Sequence, residues 1–437
     1  MEKNITAVFH MKYLIYLAQV HETFRLSELK ALASLQGLAV DFSNYNPNSP
    51  FLIVDLDSDQ DATKLVERAI LCRAVYELYS EAPDLESLHA SIRKTYPDWS
   101  KYKQDSFKFD IVSYQGSKDR TDKVKTIESF KYMELQGPII MKNPQHVFTI
   151  LEDYDLIDSR TKAETPSHLY FGRWICDGSR NVVDKYDLKR RKYIGTTSFD
   201  AELTLVTCNI AQVSHGSFVY DPFVGTGSFL VAASHFGGLT VGSDIDIRMI
   251  KGKNPNCNID SNFKQYGTSH LYLDVMAVDF TNNSFRTDLK LDCIVCDPPY
   301  GVREGLKVLG SKSPEKFAGK QDVLIDGVPA HLRKDYIPPK RPYQFSSLLD
   351  DLLEFGAVHL RPKGRLCFWM PTSNEDFQPT HIPHHEDLEL IEECVQQFNK
   401  WSRRLLVYVR RPEGEKGLHL SSEDSTEFRQ RYFSGFK

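Results

Sequence analysis

Four consecutive residues, Asp297-Pro298-Pro299-Tyr300, form the most chemically pointed stretch of the chain. They follow the apolar run LDCIVC, which reads as a buried strand. Paired prolines stiffen the backbone and carry no N–H of their own, which leaves the carbonyl beside them open to outside donors. The Asp297 carboxylate and the Pro298 carbonyl can together accept the two N–H bonds of a planar –NH₂ group. That grip bends the nitrogen lone pair toward an electrophile. Tyr300 offers a face on which a base taken out of its helix can stack. The chemistry implied is alkylation of an exocyclic amino nitrogen, with the protein aligning the partners and excluding water. The plain alternative is an Asp-Pro turn.

A second motif lies upstream, Asp221-Pro222-Phe223-Val224-Gly225-Thr226-Gly227-Ser228, after the apolar SFVY. Gly225 and Gly227 allow a tight turn and close approach of a ligand to the backbone. The helix expected over FLVAASHF then presents free N–H groups and a positive dipole end to a carboxylate. A dinucleotide fingerprint needs a third glycine where Leu230 stands, and a phosphate loop needs a Gly-Lys pair that is absent. The acid that opens the loop, Asp221, repels phosphate but attracts an amino group such as that of a methionine moiety. The cofactor that fits is S-adenosyl-L-methionine, and the alternative is a simple glycine turn between strand and helix. Two further acids end apolar runs: Asp244 in GSDID and Asp279 in VDF. Asp244 falls about twenty residues beyond Asp221, the usual spacing for an acid that grips ribose hydroxyls. Asp279 can accept from an adenine amino group. Helix N-caps are the competing reading of Asp244 and Asp246.

The elements that must position these residues alternate. From Ser217 onward SFVYD, LTVGSD, LDCIVCD and RLCFWM read as strands separated by helices, which implies a parallel, doubly wound α/β sheet. LELIEECVQQF (388–398) and SRRLLVYVRR (402–411) read as a closing antiparallel pair. A long polar stretch between Tyr300 and Leu348 reads as a functional loop, with residues 302–345 folding over a bound substrate. The first part of the chain reads as α+β in short elements. Strands are expected at FLIVDL (51–56) and FKFDIVSY (107–114), and a helix at SLHASIRKTY (87–96). ATKLVERAILCRAVYEL (62–78) has helical spacing, and Ser27 caps a helix through ELKALASL. The boundaries expected are 1–165 for the N-terminal region, 166–196 for a basic connector and 197–437 for the α/β domain.

At 437 residues, with 41% hydrophobic and 26% charged residues, the chain can build two or three domains. It shows no internal repeat and no low-complexity tract. The apolar stretch Tyr13 to Leu17 is too short for a signal-peptide core, and no run is long enough to span a bilayer, so an intracellular, cytoplasmic protein away from membranes is expected. The eight cysteines are scattered, and only Cys293 and Cys296 form a C-x-x-C pair. On a strand those two thiols point to opposite faces, so they read as small buried hydrophobes rather than metal ligands, and no metal is expected. The net charge of −5 does not advertise nucleic-acid binding. Basic clusters nevertheless stand at Lys189–Lys192, at Lys340 and Arg341, and between Arg403 and Arg411.

With DPFVGTGSF, GSDID and DPPYGVREG in this order, the chain resembles the class I amino-methyltransferases. KYIGTTSFD before the first strand and the late KWSRRLL narrow the resemblance to the eukaryotic tRNA (guanine-10-N2)-methyltransferase family. The likeness covers about 170–437. It implies a C-terminal Rossmann-like class I methyltransferase sheet, an N-terminal ferredoxin-like segment and a THUMP domain that binds tRNA. It also implies a partner, a small zinc-binding methyltransferase activator protein, docked near the sheet edge by strand pairing. Carried over residue by residue, Asp297, Pro298, Pro299 and Tyr300 would hold the guanine amino group. Asp221, Phe223, Gly225, Thr226 and Gly227 would cradle the methionine end of the cofactor, with Asp244 on the ribose and Asp279 on the adenine. Thr197, Phe199 and Asp200 would close over the cofactor, unless they only open a helix. Rival readings are a DNA-adenine or protein-glutamine methyltransferase, a non-catalytic RNA-binding subunit of the same fold, and a nicotinamide oxidoreductase. Loss of the glycine loop or of Asp297 would mark the non-catalytic form, and neither is lost. Leu230 and DPPY argue against the oxidoreductase.

Overall fold

The computed structural model describes residues 11–156, 163–301, 306–310, 323–333, 336, 338–375 and 377–420. The chain divides into two compact units, Met1–Arg180 and Asn181–Lys437.

The first unit runs β1 (Met11–Leu17), α1 (Glu22–Leu35), β2 (Phe51–Leu56), α2 (Asp59–Val66), β3 (Cys72–Ala82), α3 (Leu85–Thr95), β4 (Phe107–Tyr114), α4 (Arg120–Glu128), β5 (His146–Asp153) and β6 (His168–Asp177). The strands form one six-stranded sheet in the order β2-β1-β3-β6-β5-β4, antiparallel except for the β4–β5 pair. Alternate residues feed two layers. Tyr13 and Ile15 join Leu29, Leu32 and Leu65 beneath α1 and α2, while Leu14 joins Phe51, Tyr76 and Tyr170 on the other face. Trp99, Phe148 and Phe171 build a third cluster with Leu88 and Ile92 of α3.

Three local expectations fail here. The helical reading of 62–78 is half right: α2 ends at Val66, and Cys72 starts the long strand β3. β3 is buried along almost its whole length between β1 and β6, so its apolar run has no period to distinguish it from a helix. The break is held from far away, since the buried Glu28 carboxylate accepts from the backbone N–H groups of Ile70 (2.9 Å) and Leu71 (2.8 Å). Ser27 is no cap. α1 already starts at Glu22, after His21 in a left-handed conformation (φ 51°), and Ser27 is buried within it. The stretch 166–196 does not begin as a connector, because residues 168–177 are β6, paired with β3 and β5, and the units divide after Arg180.

The second unit runs α5 (Asn181–Tyr186), α6 (Ala201–Ile210), β7 (Phe218–Asp221), α7 (Ser228–His235), β8 (Leu239–Asp244), α8 (Ile247–Lys251), α9 (Ile259–Tyr266), β9 (Tyr272–Ala277) and β10 (Leu291–Cys296). It continues with β11 (Lys307–Leu309), β12 (Leu324–Ile325), β13 (Val328–Pro329), β14 (Lys340–Pro342), α10 (Phe345–His359), β15 (Leu360–Ser373), β16 (Leu388–Gln397) and β17 (Trp401–Arg410). A seven-stranded sheet has the order β16-β17-β15-β10-β7-β8-β9. β15, β10, β7 and β8 are parallel and β17 and β16 close the sheet antiparallel, as the sequence pattern predicts, and β9 adds a parallel edge strand that the pattern did not mark. Leu349, Leu352, Leu353 and Phe355 of α10 pack on Ile294, Leu366, Phe368 and Tyr408.

β7 and β10 are neighbours, and the chain order reverses between them. Their carboxyl ends form the crevice where open α/β sheets bind ligands. The long polar stretch after Tyr300 is partly folded: β11 pairs with β14, β12 with β13, and α10 starts at Phe345. Parts of the expected 302–345 cover, at 302–305, 311–322, 334–335 and 337, lie outside the described residues. All eight cysteines are free thiols. Cys293 donates toward the Ala211 carbonyl, whereas Cys296 sits in the cluster beneath α10. No helix among the described residues is long and apolar enough to cross a membrane.

Candidate active site

The site grows out of the ends of three adjacent strands. β7 delivers Asp221, 1% exposed, whose Oδ1 accepts from the Phe223 N–H at 2.9 Å and so turns the chain into the glycine loop. Gly225 (φ 49°) and Gly227 (φ 83°) hold left-handed conformations. A Cβ on Gly227 would also meet Ile259 Cγ2 at 3.0 Å. Gly227 then caps α7. β8 delivers Asp244, which ties the loop down: Oδ2 accepts from the Gly225 N–H (3.0 Å) and Oδ1 from the Asp246 N–H (2.8 Å). Val224 N–H bonds the Ser243 carbonyl at 2.8 Å. The cap reading holds for Asp246, which caps α8 and pairs with Arg248.

β10 delivers Asp297, and Tyr300 turns back to donate its hydroxyl to Asp297 Oδ1. Pro298 is buried and Pro299 exposed. The Tyr300 ring stands edge-on to Phe345 at the start of α10, with centroids 6.3 Å apart. Burial pushes the Asp297 carboxyl up to about 6, against the Tyr300 bond and the Arg403 guanidinium, which hold it down. Burial also lifts Asp221 well above the usual carboxylate range; its Phe223 N–H bond opposes the rise, and the carboxylates of Asp244 and Asp297 add to it. Asp244 is raised by burial as well, against its two backbone N–H bonds. Three acids thus converge at the β7–β8–β10 crevice, an arrangement that favours a cationic or amino-bearing ligand.

The remaining candidates divide. Asp279 is buried, with Oδ1 accepting from the Thr281 N–H (3.1 Å) and hydroxyl (2.9 Å). Its Oδ2 accepts from the Leu309 N–H of β11 at 2.7 Å, so it also anchors the segment after Tyr300. Phe223 packs edge-on against Phe280 at 5.2 Å. Thr226 Oγ1 lies 2.7 Å from Ser198 Oγ, and Ser198 Oγ accepts from the Gly195 N–H at 2.9 Å, which fastens the KYIGTTSFD segment to the glycine loop. Asp200 caps α6 through the Leu203 N–H (3.0 Å) and is exposed, as is Thr197. Phe199 is buried against Phe229 and Trp369.

Sequence reading missed Arg403. From β17 its guanidinium covers the Phe199 ring at 4.5 Å and the Trp369 ring at 5.5 Å, beside Asp297 and Tyr300. The only sequence signal was its place in KWSRRLL, where alternation marks a strand but not which arginine turns inward.

The parallel sheet with order reversal at β7/β10, the glycine loop and the DPPY turn define a class I amino-methyltransferase. Residues 11–180 match the Tmrp11 THUMP N-terminal domain, and 189–312 match the RMKL-like methyltransferase domain. The chain is 51% identical over 431 residues to tRNA (guanine(10)-N(2))-methyltransferase of Saccharomyces cerevisiae, covering 97% of this chain and 99% of that one. It is 37% identical to the protein of the same name in Schizosaccharomyces pombe (97% and 96% covered) and 34% identical to that of Mus musculus (97% and 95%). The chain belongs to the tRNA (guanine(10)-N(2))-methyltransferase family, with an N-terminal THUMP domain and a C-terminal class I methyltransferase domain.

Proposed function

We propose that this chain transfers a methyl group from S-adenosyl-L-methionine to the exocyclic N2 of guanosine 10 in tRNA. The observation that carries the reading is the DPPY turn at the end of β10, next to the glycine loop at the end of β7.

The residues present fit the cofactor: two left-handed glycines leave the loop backbone open to a ligand, and a nearly solvent-free acid, Asp221, lies beside it. S-adenosyl-L-methionine supplies an electrophilic methyl on a sulfonium. Asp221 and the loop from Phe223 to Gly227 hold the methionine end, Asp244 the ribose, and Asp279 the adenine. Thr197, Phe199 and Asp200, in the segment that Ser198 ties to the loop, close over the cofactor. Asp297 and the Pro298 carbonyl accept the two N–H bonds of the guanine amino group, and Tyr300 stacks on the base. Pro299 keeps the turn rigid. Once the nitrogen is alkylated its extra proton leaves, and Asp297 is the base within reach.

Catalysis proceeds in the cytoplasm as one half of a two-protein complex with a small zinc-binding activator. Support for the partner comes from the family resemblance and from the sheet itself, whose outer strands β9 and β16 offer edges for strand pairing. Unmodified tRNA transcripts and tritiated S-adenosyl-L-methionine test the reading, with the chain alone and with the activator added. Label in N2-methylguanosine, rising with the activator, is the expected result. Label on DNA or protein with none on tRNA would leave the fold and overturn the substrate.

A further inference from the structure

Among the described residues Arg403 is the cation that acts on Asp297 and Tyr300, and neither the glycine loop nor the DPPY motif accounts for it. It lies on β17 opposite Pro371 of β15, two strands from β10. Its guanidinium is held on three sides. Phe199 lies beneath it at 4.5 Å, Trp369 and Phe398 each at 5.5 Å, and Gln396 Oε1 accepts from Nε (3.1 Å) and Nη2 (2.6 Å). Phe199 is itself wedged against Trp369 (4.9 Å) and Phe229 (5.1 Å). A long flexible cation is thereby fixed, because stacking and a forked hydrogen bond leave the guanidinium plane little freedom. Beside it stand the Tyr300 hydroxyl and the Asp297 carboxylate, already joined by a hydrogen bond.

We propose that Arg403 is a positioning residue for methyl transfer, a clamped cation that keeps the Asp297 carboxylate ionised and oriented to accept the target amino group. The inference rests on the reading of Asp297 given above. Asp297 accepts one of the two N–H bonds, and only its charged form can also take the proton that leaves the alkylated nitrogen; the groups facing it divide in their effect. Among the described residues Asp221 from β7 disfavours that charge, Cys296 from β10 and Tyr300 from the turn are neutral, and Arg403 is the cation. Burial of these carboxyls makes the crevice hostile to a third anion. The aromatic bed gives the KYIGTTSFD segment a second task, since Phe199 supports the arginine that supports Asp297.

The test is the pH profile of single-turnover methylation of tRNA by the full chain with its activator. Arg403→Met keeps the stem and removes the charge. Its acid limb moves upward by about one pH unit, so the loss relative to wild type is about tenfold near pH 5 and less than twofold near pH 8.5. Arg403→Lys brings the limb back toward wild type, and KM for tRNA changes little in either variant. A residue that only filled the aromatic bed would give a loss independent of pH, and that result, or an unshifted limb, overturns the proposal. Cofactor binding reports whether Arg403→Met is folded. If it is not, Arg403→Gln carries the same test, because it too removes charge while keeping a polar head for Gln396. Absence of tRNA methylation by the wild type would instead strike the proposed function, so the two failures are separable.

Discussion

The two units treat buried charge in opposite ways. In the N-terminal unit every conspicuous buried ion has a partner. Arg173 binds Glu77 Oε2 at 2.8 Å and Asp59 Oδ2 at 2.6 Å; Tyr13 donates to Asp59 (2.9 Å) and Tyr79 to Glu77 (2.8 Å). Glu152, fully buried, receives Lys118, Ser113 and Tyr154. In the methyltransferase unit Asp221, Asp244 and Asp297 gather at one crevice. Among the described residues no lysine or arginine forms an ion pair with Asp221. Paired charges fix a shape, whereas like charges kept together in a crevice cost stability and hold a place for a ligand. The first arrangement belongs to a scaffold and the second to a site.

Substitutions can break this contrast, and the largest effect falls on the site. Asp297→Ala removes an acceptor needed only at transfer, so single-turnover methylation falls on the order of 10³-fold while cofactor affinity, read by calorimetry, stays within a few-fold. In the wild type the same carboxylate makes transfer fall as pH drops below about 6. Arg173→Met strikes the scaffold. It strands Glu77 and Asp59 and costs about 3 kcal/mol in urea denaturation of the N-terminal unit's transition.

Asp221→Asn separates the two logics most cleanly. An asparagine still accepts from Phe223 but carries no charge, so the ligand-free chain gains about 1 kcal/mol at neutral pH while cofactor binding weakens about tenfold or more. The sign follows from the raised carboxyl. The native state holds a proton that the unfolded state releases near pH 4, so this residue's contribution to stability is fully present below that and is lost as pH rises through the native value. The asparagine variant lacks that slope. The smallest effect is a helix cap. Asp84→Ala loses the Ser87 N–H bond (2.8 Å) at the start of α3 and lowers the midpoint of urea denaturation slightly, with no change in transfer chemistry.

The contrast also explains what could be read from the sequence. Site residues sit at strand ends, where a glycine loop or a double proline must be local in sequence, so Asp221, Gly225, Gly227 and Asp297 are visible as motifs. The parallel, doubly wound class of the sheet and its antiparallel closing pair follow from the alternation of apolar runs and helices, whereas the strand order and β9 do not. Scaffold contacts are remote instead. Nothing near Ile70 announces that Glu28 will take its N–H and end α2, so β3 reads as a continuation of the helix. β6 looks like a linker until its partners β3 and β5 are known. Arg403 is hidden for the same reason, because its value depends on Phe199, Trp369 and Gln396 arriving from three other segments. Asp279 shows the opposite limit: a plausible ligand acid also anchors β11, a duty that no spacing rule foretells.

If the β10 turn presents the amino group of one guanine for methylation, one missing amino group abolishes transfer. A tRNA transcript carrying inosine at position 10 keeps the base's shape and its O6 and N7 acceptors but lacks the N2 amino group. Assayed beside the guanosine transcript with tritiated S-adenosyl-L-methionine, it should take no label while the guanosine transcript is labelled at that nucleotide. Equal labelling of both transcripts would place the methyl elsewhere and contradict the account.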